Sequence, residues 1–155
     1  MANTSDPDIE ELYRREGAKI WRALCAQTGD QELASDTLGE AFAQYLRRRD
    51  QVRDPSAWLW RASFKIAMGE LQARRRTVSM SVEASYLMPE PARDLIVALS
   101  HLPPKQRAAT VLHYFGGYST KEIAPILGSS AATVRVHLSQ GRRRLRTLLE
   151  ENSDE

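Results

Sequence analysis

The residues best suited to chemistry on a charged polymer lie on one predicted helix near the C-terminal end. Val134, Leu138, Gly141, Leu145 and Leu148 recur at steps of four, three, four and three, a single apolar stripe at helical period. Arg135, Val136, His137, Ser139, Gln140, Arg142 and Arg143 fall outside that stripe or on its flank. Guanidinium groups pair with phosphates, and Arg, Gln and Ser side chains can hydrogen-bond to base edges. A helix of this profile can enter a major groove with its N-terminal part and touch phosphates along its length.

The elements just before it are those that would position such a helix. In STKEIAPILG, Ser119 and Glu122 have the spacing of a capping box. Ile123, Ala124 and Leu127 give the short helix an apolar face, Gly128 suits a left-handed helix end, and Ser130 is a good cap for the next helix. The pattern is a helix-turn-helix. From His101 to Leu149 eight basic residues face one acidic residue, Glu122, a local +7 in a chain whose formal charge is +2. A solvated helical hairpin has no need of such a concentration of charge.

The near-neutral total conceals further patterning. Residues 1–46 carry four basic and nine acidic side chains (−5), and residues 47–76 nine basic and three acidic (+6). Residues 77–100 come to −2 and the last six to −4. Two separate positive blocks suit two contacts with one polyanion. With 155 residues and 42% hydrophobic content, the chain can build one ordinary domain or two small ones. No run approaches the roughly twenty apolar residues of a membrane span, and no signal peptide is apparent, so no membrane insertion is expected. The single cysteine, Cys25, lies on an apolar stripe, is expected to pack rather than react, and suits a cytoplasmic location. Three histidines far apart in sequence do not suggest a metal site. There is no Gly-rich phosphate loop, paired-carboxylate pocket or nucleophile–base motif, so neither an enzyme nor a cofactor is expected and no catalytic residue is assigned.

The remaining periodicity is all-α. Residues 8–28 put Ile9, Leu12, Tyr13, Ile20, Trp21, Leu24 and Cys25 on one side, and Gly29-Asp30 stops the run. Residues 31–49 repeat the pattern. Asp54-Pro55 starts a third helix, reaching about Arg76, with Trp58, Leu59, Ala62, Ile66, Ala67 and Leu71 as its stripe. Trp60 and Phe64 fall off that stripe and are expected to be exposed. Thr77 to Pro91 has little periodicity and reads as a flexible linker. Short helices follow at 94–100 and 104–115. The expectation is two small helical domains, 8–76 and 93–150, joined by a linker over 77–92.

These residues resemble the extracytoplasmic-function sigma factors, the two-domain promoter-specificity subunits of bacterial RNA polymerase. HLPPKQRAATVLHYFGGYSTKEIAPILGSSAATVRVHLSQGRRRLRTLL is similar to sigma region 4, and ELYRREGAKIWRAL, GDQELASDTLGEAFAQYL and RDPSAWLWRASFKIA followed by ARRR are similar to region 2. The resemblance covers nearly everything from Ile9 to Glu150. It implies polymerase docking through the helix holding Asp36, Leu38, Glu40 and Phe42. It places capture of the melted −10 strand around Arg48, Arg49, Gln51, Arg53, Trp60, Arg61 and Lys65, a set with the cationic and aromatic groups such capture needs. It assigns Arg135, Val136, Ser139 and Gln140 to base edges or nearby phosphates of the −35 duplex. Ser130, Thr133, Arg142 and Arg143 become phosphate anchors, with Lys121 as a further backbone contact. Arg135 suits guanine and Gln140 adenine. The implied partners are RNA polymerase core, promoter DNA and an inhibitory anti-sigma factor.

Four positions depart from the family's pattern. Gly39 stands where glutamine is usual, Lys65 and Gly69 where asparagine and aspartate are frequent, and Pro125 lies inside a short helix, where it is expected to kink. Two other readings compete. SxxTVxxHL also resembles LuxR-type domains, which would make the chain a stand-alone regulator binding paired half-sites. A sigma-like module that sequesters a protein partner is the third.

Overall fold

The computed structural model describes residues 7–74 and 90–153, and every regular element among them is helical. Helix α1 (Pro7–Leu12) runs through a π-helical turn (Tyr13–Gly17) into α2 (Ala18–Thr28). Helix α3 (Gln31–Arg48) is capped by the Asp30 side chain, which accepts from Leu33 N at 3.0 Å. A short 3-10 turn (Arg49–Gln51) leads to α4 (Pro55–Arg74), whose first turn is held by Asp54 accepting from Ala57 N. The second half comprises α5 (Glu90–Ser100), α6 (Pro104–Tyr114), α7 (Thr120–Leu127) and α8 (Ala131–Ser153).

Most of the expected linker lies outside the described residues. Its last part does not: helix α5 already begins at Glu90, ahead of the expected boundary. Helix α8 continues to Ser153, past the last predicted apolar position.

Helices α2, α3 and α4 pack on one another around Ile20, Leu24, Ala34, Leu38, Ala41, Leu59 and Phe64. In the second half, α8 packs against α6 and α7 through Leu112, Ile123, Val134 and Leu138. The two halves then join, because α2 meets α5 and α6 while α4 meets α7, and one apolar core runs through both. Polar groups stitch the junction. Gln27 Nε2 donates to Pro104 O at 3.2 Å, and Arg107 donates to the carbonyls of Gln27, Leu99, Ser100 and Leu102. Arg107 therefore closes the C-terminal ends of α2 and α5 together, where orphan carbonyls and the helix dipole favour a cation. Burial holds its pKa below the usual arginine range.

The junction overturns one expectation. Trp60 and Phe64 are buried, Trp60 at 3% exposure, whereas Trp58 is only half-buried. Helix α4 uses two adjacent faces. Trp58 meets Tyr45 of α3, while Trp60 stacks on Phe64 and lies edge-on to Tyr118 from the other half, ring centres 6.0 Å apart. Glu16 completes the pocket, accepting from the Trp60 indole at 3.1 Å and from Ser56 Oγ at 2.8 Å. Burial first, then Glu16 and nearby carboxylates, push the Tyr118 hydroxyl up to about 12. Cys25 is buried as expected, and burial pushes its thiol up to about 12.

Candidate nucleic-acid interface

The turn before α8 is built as its residue types require. Ser119 Oγ accepts from Glu122 N at 3.2 Å and Glu122 Oε1 accepts from Ser119 N at 3.1 Å, a complete capping box. Gly128 ends α7 at φ 63°, a left-handed position that costs glycine little, and its N–H returns to Ala124 O. Ser130 Oγ then accepts from Thr133 N at 3.1 Å and sits 3.0 Å from Thr133 Oγ1. The Ser130 hydroxyl expected to anchor phosphate thus also caps the helix. Pro125 stays within α7 on its exposed side, at the cost of one backbone hydrogen bond.

Along α8 the inner stripe is buried at Val134, Leu138, Gly141 and Leu145. Arg135, Val136, Ser139, Gln140, Arg142 and Arg143 are all exposed, with Val136 at 52%, and Lys121 on α7 is exposed as well. Two of these have partners: Arg142 donates to the Tyr114 hydroxyl at 3.2 Å, and Gln140 Oε1 accepts from Gln106 Nε2 at 2.9 Å. His137 is half-buried at the edge of the row. Burial, then the charge of Lys105, holds its pKa below the usual histidine value.

The first positive block is divided. Arg48, Gln51 and Arg53 are exposed around the 3-10 turn, and Arg49 is half-buried there. Arg61 and Lys65 are exposed one turn apart on α4. Trp60 does not join them on the surface. Lys65 instead borders a cleft of about 730 Å³ between the halves, facing Lys105 and His137 across Met68, Leu71, Pro104 and Ile126. One of the −10 candidates therefore shares a cleft with the edge of the −35 row.

On α3, Asp36 and Glu40 are exposed, while Leu38 and Phe42 are buried and form the wall of an apolar groove of about 940 Å³ with Ile9, Tyr13, Trp21 and Leu46. Glu40 is partly engaged along its own helix, with Gln44 at 3.1 Å and Arg47 at 3.5 Å. Gly39 lines this groove, and a side chain added there would meet nothing within 4 Å. The glycine is thus not required by packing and leaves the groove more open.

Sequence reasoning missed Glu16, Gln27, Gln106, Arg107 and Tyr118. The buried glutamines carry no local signal, and Arg107 reads as one more charge in a basic segment. Among the described residues no cluster of three or more potential metal ligands occurs, and no helix is long and apolar enough to cross a membrane.

Comparison with known proteins bears on both halves. Residues 92–145 match the family described as "Sigma-70, region 4". The chain is 29% identical to the ECF RNA polymerase sigma factor SigE of Mycolicibacterium smegmatis, over 96% of this chain and 64% of that protein. It is also 29% identical to the ECF RNA polymerase sigma factor SigL of Mycobacterium tuberculosis, over 92% of this chain and 89% of that one. It thus spans a little under two thirds of SigE and most of SigL. In fold it is similar to the sigma factor RpoE from Bartonella quintana, solved in complex with the anti-sigma factor NepR, with a TM-score of 0.79, 20% identity and coverage of 94% of this chain and 98% of that one. The second half thus matches sigma-70 region 4, and the chain over most of its length is similar to extracytoplasmic-function sigma factors.

Proposed function

We propose that this chain directs RNA polymerase core to specific promoters and starts transcription there, acting as a non-catalytic cytoplasmic subunit. The observation that carries this reading is the row Arg135, Val136, Ser139, Gln140, Arg142 and Arg143, bare along a helix whose other side is buried. In the proposal residues 93–150 hold the −35 duplex on α8, and residues 8–76 dock the polymerase and take the −10 strand. Both belong to one chain, so that both act on one promoter at high effective concentration.

The −35 contacts are those of Lys121, Ser130, Thr133 and the α8 row. Arg48, Arg49, Gln51, Arg53, Arg61 and Lys65 supply the polar part of the −10 surface. Trp60 can reach a base only after its Tyr118 contact opens, because in the closed arrangement its ring is enclosed. The polymerase-facing groove uses Asp36 and Glu40 at its rim and Leu38 and Phe42 in its wall, so a partner helix with basic and apolar groups fits it. An anti-sigma factor is the second proposed partner. Its support is the likeness to RpoE, which was solved with such an inhibitor bound.

The test is reconstitution of purified core polymerase with this chain on a library of promoter fragments. Start sites absent with core alone are expected. If none appears, the reading is wrong. Specific binding to a palindrome without polymerase would instead favour a stand-alone regulator.

A further inference from the structure

We propose that Gln106 is a positioning residue for −35 recognition: its buried amide holds the Gln140 side chain in the one orientation that reads adenine. This rests on α8 being the −35 helix. Gln106 lies on α6 where that helix crosses α8, and it is only 8% exposed. Gly141 makes the crossing close. A Cβ built there would sit 2.7 Å from Thr110 Oγ1 and 3.4 Å from Gln106 O. The absence of a side chain at Gly141 lets α6 approach the residue beside Gln140. From that position Gln106 Nε2 donates to Gln140 Oε1 at 2.9 Å.

The hydrogen bond has two consequences for an exposed glutamine. It removes rotamer freedom that DNA binding would otherwise have to remove. It also turns the Oε1 end of the Gln140 amide towards Gln106 in the observed arrangement. With one lone pair of Gln140 Oε1 taken, the second lone pair and both Nε2 hydrogens remain. That pairing of acceptor and donor matches the N6 and N7 edge of adenine in the major groove.

Stability does not account for a glutamine at position 106. Its Oε1 is buried without a hydrogen-bond partner, which is destabilising where an apolar side chain of similar shape would not be. Gln106 therefore costs the fold something, and its contact with Gln140 supplies a reason for it.

The experiment uses the reconstituted holoenzyme on promoters with a randomised −35 element. Wild type is expected to favour adenine at one position, and Gln140→Ala to lose that preference by about tenfold. Gln106→Met should lower the preference about fivefold at that same position, leave other positions unchanged, and leave the unfolding midpoint equal or higher. The double variant should be no worse than Gln140→Ala alone. Gln140→Glu, a surface change that keeps an acceptor for Gln106, should move the preference from adenine towards cytosine. The proposal is overturned if Gln106→Met keeps the full adenine preference, if it weakens every position equally, or if Gln140→Glu still selects adenine. If Gln140→Ala alters no −35 position, the assignment of α8 itself fails, a result distinct from failure at Gln106 alone.

Discussion

The two cationic surfaces of this chain are presented differently. On α8 the buried stripe faces α6 and α7, and the outward residues meet solvent along several turns. On α4 the charges at Arg61 and Lys65 are exposed, but the aromatic beside them, Trp60, is enclosed by Glu16, Phe64 and Tyr118. In the proposed function, duplex DNA meets the first surface as it stands in this arrangement. In the same proposal an unpaired base stacks on the second only after the Trp60–Tyr118 contact opens. Under the proposal, duplex recognition therefore needs no rearrangement and strand capture needs one.

The largest expected effect falls on the enclosed surface. Trp60→Ala removes a buried indole and its hydrogen bond to Glu16, and should lower stability by about 3–5 kcal/mol in denaturant unfolding. A loss under about 1 kcal/mol would mean that Trp60 is already free of the junction, and the contrast would disappear. On the open surface, Arg135→Ala should leave the unfolding midpoint unchanged and cost about 1–3 kcal/mol of discrimination at one −35 position. Uniform loss across all promoter sequences would make Arg135 a phosphate anchor.

Gly141→Ala tests the packing beneath the open surface. The added methyl meets Thr110 Oγ1, itself held by Gln106 O at 2.7 Å, so overpacking outweighs the gain in helix propensity. A net loss of about 1 kcal/mol is expected, again by denaturant unfolding.

The smallest effect concerns His137, whose folded pKa lies below its ordinary 6.5 because burial and then Lys105 disfavour the charged ring. Above that ordinary value the imidazole is neutral folded and unfolded alike and contributes no pH dependence. As pH falls through it, the unfolded chain binds the proton more readily and stability declines. Unfolding midpoints at about pH 7.5 and about pH 5.5 should differ less in His137→Gln than in wild type.

What could be read in advance follows the same division. Ser119, Glu122 and Gly128 act on near neighbours in the chain, and the Val134–Leu145 stripe marks one buried face by its period alone, so spacing locates the helix-turn-helix and its bare face. Helical spacing puts Trp60 and Phe64 on the solvent side, whereas the groups enclosing Trp60, Glu16 and Tyr118, come from another element and from the other half. A stripe drawn on one helix cannot show a second packing face. Gln106 was invisible for a related reason. Its role depends on a helix crossing and on a residue 34 positions away.

The central claim, that both surfaces hold one promoter, is tested most directly by site-specific cross-linking in the reconstituted initiation complex. A photoreactive group at Ser139 should capture the −35 duplex, and one at Arg61 the melted −10 strand of the same promoter molecule. Capture of DNA from Ser139 alone, in a complex that nonetheless transcribes, would contradict the account.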